Sequence, residues 1–168
     1  MENQPRIVII GGVAAGPKAA ARARRLAPEA DITIIERGRL LSYAGCGMPY
    51  FIEGKVKEIR DLVCTPVGVP RDAVFFDRVK GIRVLNRTLA LSINREAKTL
   101  EVVRVDTNEH QTIPYDKLVI ATGGLPVIPP IEGIRLHRVF RLNHPDDAAA
   151  IREALLTGQI RQATIIGG

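Results

Sequence analysis

The feature that most restricts how this chain can fold lies between residues 6 and 36. There a β-branched run, a glycine turn, a helix pattern and a second apolar run follow one another. Ile7, Val8, Ile9 and Ile10 are uninterrupted by polar residues, which reads as a short strand buried on both faces. The turn Gly11-Gly12-Val13-Ala14-Ala15-Gly16 follows. An alanine-rich helix is expected from about Ala14 to Leu26. Pro17 falls in its first turn, where a missing N–H costs nothing, and Pro28 ends it. Ile32-Thr33-Ile34-Ile35 is the second strand, so the whole segment forms one βαβ unit of a parallel sheet.

The turn carries chemistry. Backbone N–H groups at a helix N-terminus can hold a pyrophosphate. In the dinucleotide pattern G-x-G-x-x-G, Gly11 and Gly16 take the first and third positions and Val13 the middle one. Glu36 stands at the end of the second strand, 20 residues after Gly16. A carboxylate there reaches the hydroxyls of an adenosine ribose. Lys18, Arg22 and Arg25 recur at i, i+4 and i+7 and share one face of the helix. Such a stripe suits the phosphates of a bulky anionic substrate, and a plain solvated face is the other reading.

Downstream lies Ser42-Tyr43-Ala44-Gly45-Cys46-Gly47-Met48-Pro49-Tyr50, a cysteine with a glycine on each side. Glycine flanks let a flat ligand approach the backbone. A nucleotide fold that delivers such a thiol points to redox chemistry fed by a flavin, against the alternative of a buried structural cysteine. Met48 to Glu53 reads as a short helix with Pro49 in its first turn, and a helix N-terminus favours the reactive thiolate. No second cysteine lies close by in sequence. The site is therefore expected to work with one sulfur, as a mixed disulfide or a sulfenic acid. Cys64 lacks glycine flanks and reads as structural.

The rest of the chain changes character. From about Ile82 to Gln111, short strands at Arg83–Leu85, Ala90–Ile93 and Thr99–Val105 read as an inserted antiparallel meander. Asn94–Lys98 and Asp106–His110 read as its turns. Lys117 to Ala121 returns as a buried strand ending in Thr122-Gly123-Gly124. A helix is expected from Pro145, capped by Asn143 or His144, to Gly158. Ala163-Thr164-Ile165-Ile166-Gly167-Gly168 repeats the form of residues 7–12. A second nucleotide-binding strand is expected there, with the chain a fragment ending inside its phosphate loop.

Composition narrows the classes. The chain has 168 residues, 46% hydrophobic and 25% charged, as in ordinary globular proteins. No stretch reaches the roughly 18 apolar residues of a membrane span, and no secretory signal is expected at the N-terminus. Two cysteines make no disulfide framework, which points to a reducing, cytoplasmic compartment. The net charge of +6 comes from scattered residues without an aromatic stacking platform, so small phosphorylated ligands explain it better than nucleic acid. His110, His137 and His144 show no metal-ligand spacing with the cysteines, so no metal site is expected.

Together these residues resemble the FAD-dependent pyridine nucleotide-disulfide oxidoreductases. Within them the chain is similar to the single-cysteine group of CoA-disulfide reductase, CoA-persulfide reductase, NADH oxidase and NADH peroxidase. Gly11-Gly12-Val13-Ala14-Ala15-Gly16 resembles the group's FAD loop, Glu36-Arg37 its ribose and adenine contact, and residues 42–50 its redox-cysteine segment. Tyr115 to Gly123, with Ala121, Thr122 and Gly123, resembles the strand that re-enters the FAD site. Residues 163–168 resemble the opening of the NAD(P)H domain.

The resemblance implies an α/β fold: a Rossmann-like FAD-binding domain with a parallel sheet and an inserted antiparallel meander. Residues 1–150 are then its first, incomplete part. Residues 151–168 are a linker helix and the first strand of a truncated NAD(P)H-binding domain. Electrons are expected to pass from NAD(P)H through FAD to Cys46 and on to an acceptor such as CoA disulfide or CoA persulfide. The group's CoA contacts fall on Lys18, Arg22, Arg25, Ser42 and Gly45. Two alternatives stand beside this: an NADH oxidase or peroxidase using a Cys46 sulfenic acid, and an FAD-binding electron carrier with an inert cysteine. The full-length protein is expected to be a homodimer, and the fragment alone to be inactive. Gly45 departs from the group's usual asparagine. The segment from Cys64 to Val79 departs from its usual spacing to a substrate lysine, which stays unassigned.

Overall fold

The computed structural model describes residues 4–158 and 160–166. Four parallel strands form one sheet: β1 (Arg6–Ile10), β2 (Asp31–Ile35), β3 (Arg83–Leu85) and β7 (Lys117–Ile120), in the order β3-β2-β1-β7. A second, antiparallel sheet holds β4 (Thr88–Asn94), β5 (Thr99–Arg104) and β6 (His110–Pro114) in sequence order. The helices are α1 (Ala15–Leu26), α2 (Met48–Glu53), α3 (Ala73–Lys80) and α4 (Pro145–Leu156). This is the α/β fold with a parallel sheet and an antiparallel meander that the residues implied. It divides into two compact units, Met1–Tyr43 with Val63–Gly123 and Ala44–Leu62 with Gly124–Gly168.

In the first unit the parallel sheet is covered on both faces, which is why its strands read as unbroken apolar runs. Ile9, Ile32 and Ile34 point to one side and pack with Ala20, Phe76 and Ile82 from the α1 and α3 regions. Val8, Ile10 and Ile35 point to the other and pack with Leu100, Val102 and Tyr115 from the region of the antiparallel sheet. The alternation of the pleat thus feeds two cores from one strand. Full burial of each such Val or Ile contributes roughly 1.5–3 kcal/mol before the entropy of ordering is set against it.

Several elements differ from the sequence expectation. Arg83–Leu85 is not part of the meander: β3 pairs parallel with β2, Thr33 opposite Arg83 and Ile35 opposite Leu85. The cause is α3, a helix that the sequence reading lacked. Asp72 caps it by accepting from the Phe75 amide at 2.8 Å, and Gly81 ends it in the left-handed region. A helix between two strands is the connection that lets them run parallel. Among the described strands β7 is outermost, and Ile120 is 64% exposed, so it is not the buried strand that its composition indicated. β6 begins at His110, inside the expected turn, and runs to Pro114. Residues 163–166 carry no strand and Ile165 and Ile166 are exposed, while Gly167 and Gly168 lie outside the described residues.

The second unit is built on α2 and α4. Met48, Phe51, Leu62 and Ala148 form its core. Arg152 of α4 donates to the Val56 and Lys57 carbonyls at 3.1 and 2.9 Å and lies 4.5 Å from the centre of the Phe51 ring. His144, not Asn143, caps α4 in a reciprocal box with Asp147.

At the start of the parallel sheet, Arg6 of β1 grips Asp116 just before β7. The Arg6 amide donates to Asp116 at 2.7 Å, and its guanidinium donates from Nε and Nη2 at 3.1 and 3.0 Å. The Arg6 hydrogen bonds, side chain first and amide second, hold the Asp116 carboxyl at about 2, below its ordinary 3.8. Because the folded pKa is the lower one, this contribution to stability is complete above the unfolded value and is lost as pH falls through the folded one. Asp116→Asn is expected to lower stability at neutral pH and to flatten the acid limb. Urea titrations at a series of pH values between about 6 and 2 check this: the gap between parent and variant should close toward the acid end.

Candidate functional site

The glycine turn sits where β1, α1 and β7 converge. Its position follows from packing with no spare volume. A Cβ on Gly11 would lie 2.1 Å from the Ala121 carbonyl oxygen, and one on Gly16 would lie 1.8 Å from the Gly11 carbonyl oxygen. The first and third glycines are therefore required by backbone-to-backbone approach, and Gly11 also has a φ of +113°. The Ala121 amide donates to the Ile10 carbonyl at 2.8 Å, which ties the end of β7 to the entrance of the turn. Thr122 and Gly123 follow on the exposed side.

Glu36 closes the turn from β2. One carboxylate oxygen accepts from the Gly12 amide at 2.7 Å and the other from the Gly38 amide at 2.7 Å. The carboxylate is thus fixed against the turn, and each oxygen keeps acceptor capacity for a further donor. Gly12 is enclosed by Glu36 and Leu41, and its carbonyl accepts from the Ser42 amide at 2.9 Å. Arg37 is exposed beside Glu36.

The N-terminus of α1 follows the turn. Its cap residue, Ala14, makes no side-chain cap bond, and no acid stands in its first turn. Ala14 and Ala15 are exposed and Val13 is half-buried. First-turn N–H groups without a cap suit an external anion. Uncapped amides, a turn without side-chain bulk and a fixed carboxylate form a donor and acceptor set that fits the pyrophosphate and adenosine ribose of FAD. Farther along α1, Lys18, Arg22 and Arg25 are all exposed, and none makes an ion pair with a described residue.

Ser42 stands one residue before the first unit's stretch ends at Tyr43. Its backbone is left-handed, with φ +48°. Its carbonyl accepts from Arg71 Nη1 at 3.0 Å, while Arg71 Nη2 donates to the Cys64 carbonyl at 2.7 Å. Cys64 is half-buried and starts a small hairpin, bridged to Pro70.

In the second unit, Gly45, Cys46 and Gly47 make a 3₁₀ turn that leads directly into α2. Cys46 is a free, exposed thiol. Its two glycines have different reasons to be there. A Cβ on Gly47 would lie 2.8 Å from Leu62 Cδ2, whereas one on Gly45 would meet only Met48 Cε at 4.0 Å.

The structure therefore brings Gly11, Gly12, Gly16, Glu36 and Ala121 into direct contact. It places Lys18, Arg22 and Arg25 together on exposed α1, as the spacing indicated, and leaves Arg37, Thr122 and Gly123 exposed. Gly38 and Arg71 were missed. Gly38 has a readable signal two residues after the acid, while Arg71 has none. No group of three His, Cys, Asp or Glu side chains able to hold a metal occurs among the described residues, and none of their helices is long and apolar enough to cross a membrane.

The two crowding distances give a paired prediction. Gly16→Ala should destabilise the protein by about 1–3 kcal/mol or more, because backbone and not a flexible side chain must move. Gly45→Asn should fold with a change within about 0.5 kcal/mol. Denaturant midpoints of both variants check it, and equal losses would contradict the packing described.

Residues 5–168 match the family described as pyridine nucleotide-disulphide oxidoreductase. The chain is 34% identical over 166 residues to the NAD(P)H coenzyme A polysulfide/persulfide reductase of Pyrococcus horikoshii, across 97% of this chain and 34% of that protein. It is 36% identical over 165 residues to the coenzyme A disulfide reductase of Staphylococcus aureus, across 97% of this chain and 35% of that protein. Its fold matches the NAD-dependent persulfide reductase from A. fulgidus with a TM-score of 0.86 and 42% identity, over 91% of this chain and 28% of that one. The chain spans about a third of the length of the curated relatives it matches. It belongs to the pyridine nucleotide-disulphide oxidoreductase family.

Proposed function

We propose that this chain supplies the FAD-binding turn and the redox thiol of an NAD(P)H-dependent flavoprotein that reduces a CoA disulfide or CoA persulfide. The observation that carries the reading is Cys46, a free and exposed thiol on a glycine-flanked 3₁₀ turn. The relatives named as acting on CoA disulfide and CoA persulfide support the choice of acceptor.

In this reading the amides of Val13 to Gly16 at the start of α1 would hold the pyrophosphate, while the Gly12 amide fixes Glu36, whose carboxylate would accept from the adenosine ribose. Arg37 and the segment Ala121-Thr122-Gly123 complete the cofactor contacts. FAD held there would supply the thiol site with two electrons, drawn as a hydride from NAD(P)H. The Cys46 thiolate attacks one sulfur of the acceptor disulfide. A Cys46–CoA mixed disulfide forms, and one CoA thiolate leaves. Two electrons and a proton then break that bond, which regenerates the Cys46 thiolate and releases the second CoA as its thiol. Lys18, Arg22 and Arg25 offer three cations at helical spacing to the phosphates of CoA, and Ser42 and Gly45 are further CoA contacts in this reading.

The test is anaerobic NADH oxidation by the flavin-loaded protein carrying this chain, with CoA disulfide as the sole acceptor. Cys46→Ser should lower turnover by about 10³-fold or more while the flavin is still reduced by NADH. Retained turnover in that variant would overturn the role of Cys46. Turnover with oxygen or peroxide but not with CoA disulfide would overturn the acceptor. Separately, Glu36→Ala should weaken flavin retention about 10–100-fold, as expected for loss of charge-assisted hydrogen bonds. Fluorescence of released flavin measures it.

A further inference from the structure

We infer that a cleft beside the start of the parallel strands is a binding site for a small α-amino acid, held as its zwitterion. The cleft measures about 140 Å³ and lies between one face of the parallel sheet and β6. Its lining belongs wholly to the first unit, and no lining residue is among the cofactor and thiol contacts proposed above. Strand register puts these residues on a common face. Val8 stands opposite Thr33, and Thr33 opposite Arg83, so the three side chains leave the sheet on one side. Asp31, two residues before Thr33, shares that side. Gln111 and Ile113 face them from β6, because they pair with Val102 and Leu100, whose side chains are buried in the core between the sheets.

Thr33 breaks the apolar run Ile32-Thr33-Ile34-Ile35 and is only 7% exposed. Its hydroxyl makes no hydrogen bond with a described residue. A buried hydroxyl ordinarily has a partner, so this one has a donor and an acceptor to offer whatever enters the cleft. Unpaired charges flank it. Arg83 is its neighbour across the strands at about 5 Å between backbones, and Asp31 lies about 7 Å along its own strand. Neither makes an ion pair with a described residue. Arg6, opposite Asp31, is already committed to Asp116 through Nε and Nη2. A lone anion drawn to Arg83 is repelled by Asp31, and a lone cation meets the reverse. An α-amino acid carries both charges on one carbon. Its carboxylate suits the Arg83 fork and the Thr33 hydroxyl as donors, while its ammonium suits Asp31 and the Gln111 amide oxygen as acceptors. Val8 and Ile113 leave an apolar wall for the side chain. A cavity of about 150 Å³ accepts benzene, so this one admits a molecule of about six to eight heavy atoms, the size of alanine or valine.

The test uses the flavin-loaded protein carrying this chain, with labelled methyl groups followed by NMR. L-Alanine is titrated, and acetate, ethylamine and inorganic phosphate serve as separate probes. L-Alanine should shift the Val8 and Ile113 methyl signals saturably and bind at least about ten-fold tighter than each of the other three, the factor expected for one missing charge-assisted contact. Thr33→Val keeps the volume and should weaken L-alanine about ten-fold. Because the hydroxyl has no partner within the fold, this variant without ligand should melt no lower than the parent. Arg83→Gln, at an exposed position, should weaken L-alanine and acetate alike, about ten-fold or more. Asp31→Asn should remove the preference for L-alanine over acetate. No saturable shift, or shifts that leave Val8 and Ile113 unmoved, would overturn the inference. So would acetate or phosphate binding as tightly as L-alanine, which makes the cleft a plain anion site. L-Alanine binding that changes less than about two-fold in Thr33→Val or Arg83→Gln also overturns it. A lower melting temperature of Thr33→Val does the same, since the hydroxyl is then held by the protein itself.

Discussion

The first unit depends on a place where the backbone has no room for a Cβ. At Gly11 and Gly16 the chain of β1, the start of α1 and the end of β7 pass at distances that an alanine would reduce to about 2 Å. Such an approach is sustained only if the strands stay in register along their whole length. Arg6 and Asp116 fix that register at the opposite end, five residues before the turn on β1 and five before Ala121 on the β7 side. Between these ends, β1 pairs with β7 from Ile7–Lys117 to Ile10–Ile120 without a slip. A strand that returns after so long an interval has paid a loop-closure entropy that short pairings avoid, so charged pinning at one end and close fit at the other are complementary demands. Glu36 adds a third constraint by holding the turn to the end of β2.

Local signals separate the parts of the fold that are legible in the sequence from those that are not. β1, α1 and β2 could be read because their signals are local: a β-branched run, glycines at fixed offsets, a proline at each end of the helix. β3 could not. Three residues are too few to show a period, and its parallel partner is set by α3, whose signals lie outside it. Those signals, Asp72 as a cap and Gly81 past the last turn, stand in the sequence but are easily lost among the glycines and prolines of the preceding hairpin. β7 departs from its composition for a different reason. An apolar run says that a strand can be buried, while only topology says that this one is outermost among the described strands. At α4 the unusual choice of histidine as cap was legible only as one of two neighbours.

The site shows the same division. Gly11, Gly16 and Glu36 were readable because a ligand motif and a packing motif coincide there; the structure adds that the packing is sufficient reason for the two glycines, and that Glu36 has a task within the turn. Gly45 and Gly47 look alike in sequence and differ in space, since only Gly47 faces a wall, at Leu62. Arg71 was invisible, because a guanidinium that bonds two carbonyls leaves no residue pattern. Its partners are backbone groups, which every residue has.

Guanidiniums bonded to backbone carbonyls also change what the net charge means. A formal charge of +6 invites a reading in terms of anionic partners. Yet several of the cations are already occupied inside the fold. Arg6 is matched by Asp116. Arg24 donates to the carbonyls of Pro28 and Gly81, tying the end of α1 to the end of α3. Arg71 and Arg152 likewise hold carbonyls. These guanidiniums act as multivalent donors that close loops, work in which five N–H groups matter more than the charge. Lys18, Arg22 and Arg25 are of another kind: exposed, without a carboxylate partner among the described residues, and spaced along one helical face. What distinguishes the triad is therefore its grouping on one helical face, which the sum over the chain does not register. A chain with the same net charge and its arginines all bonded to carbonyls would present no such face.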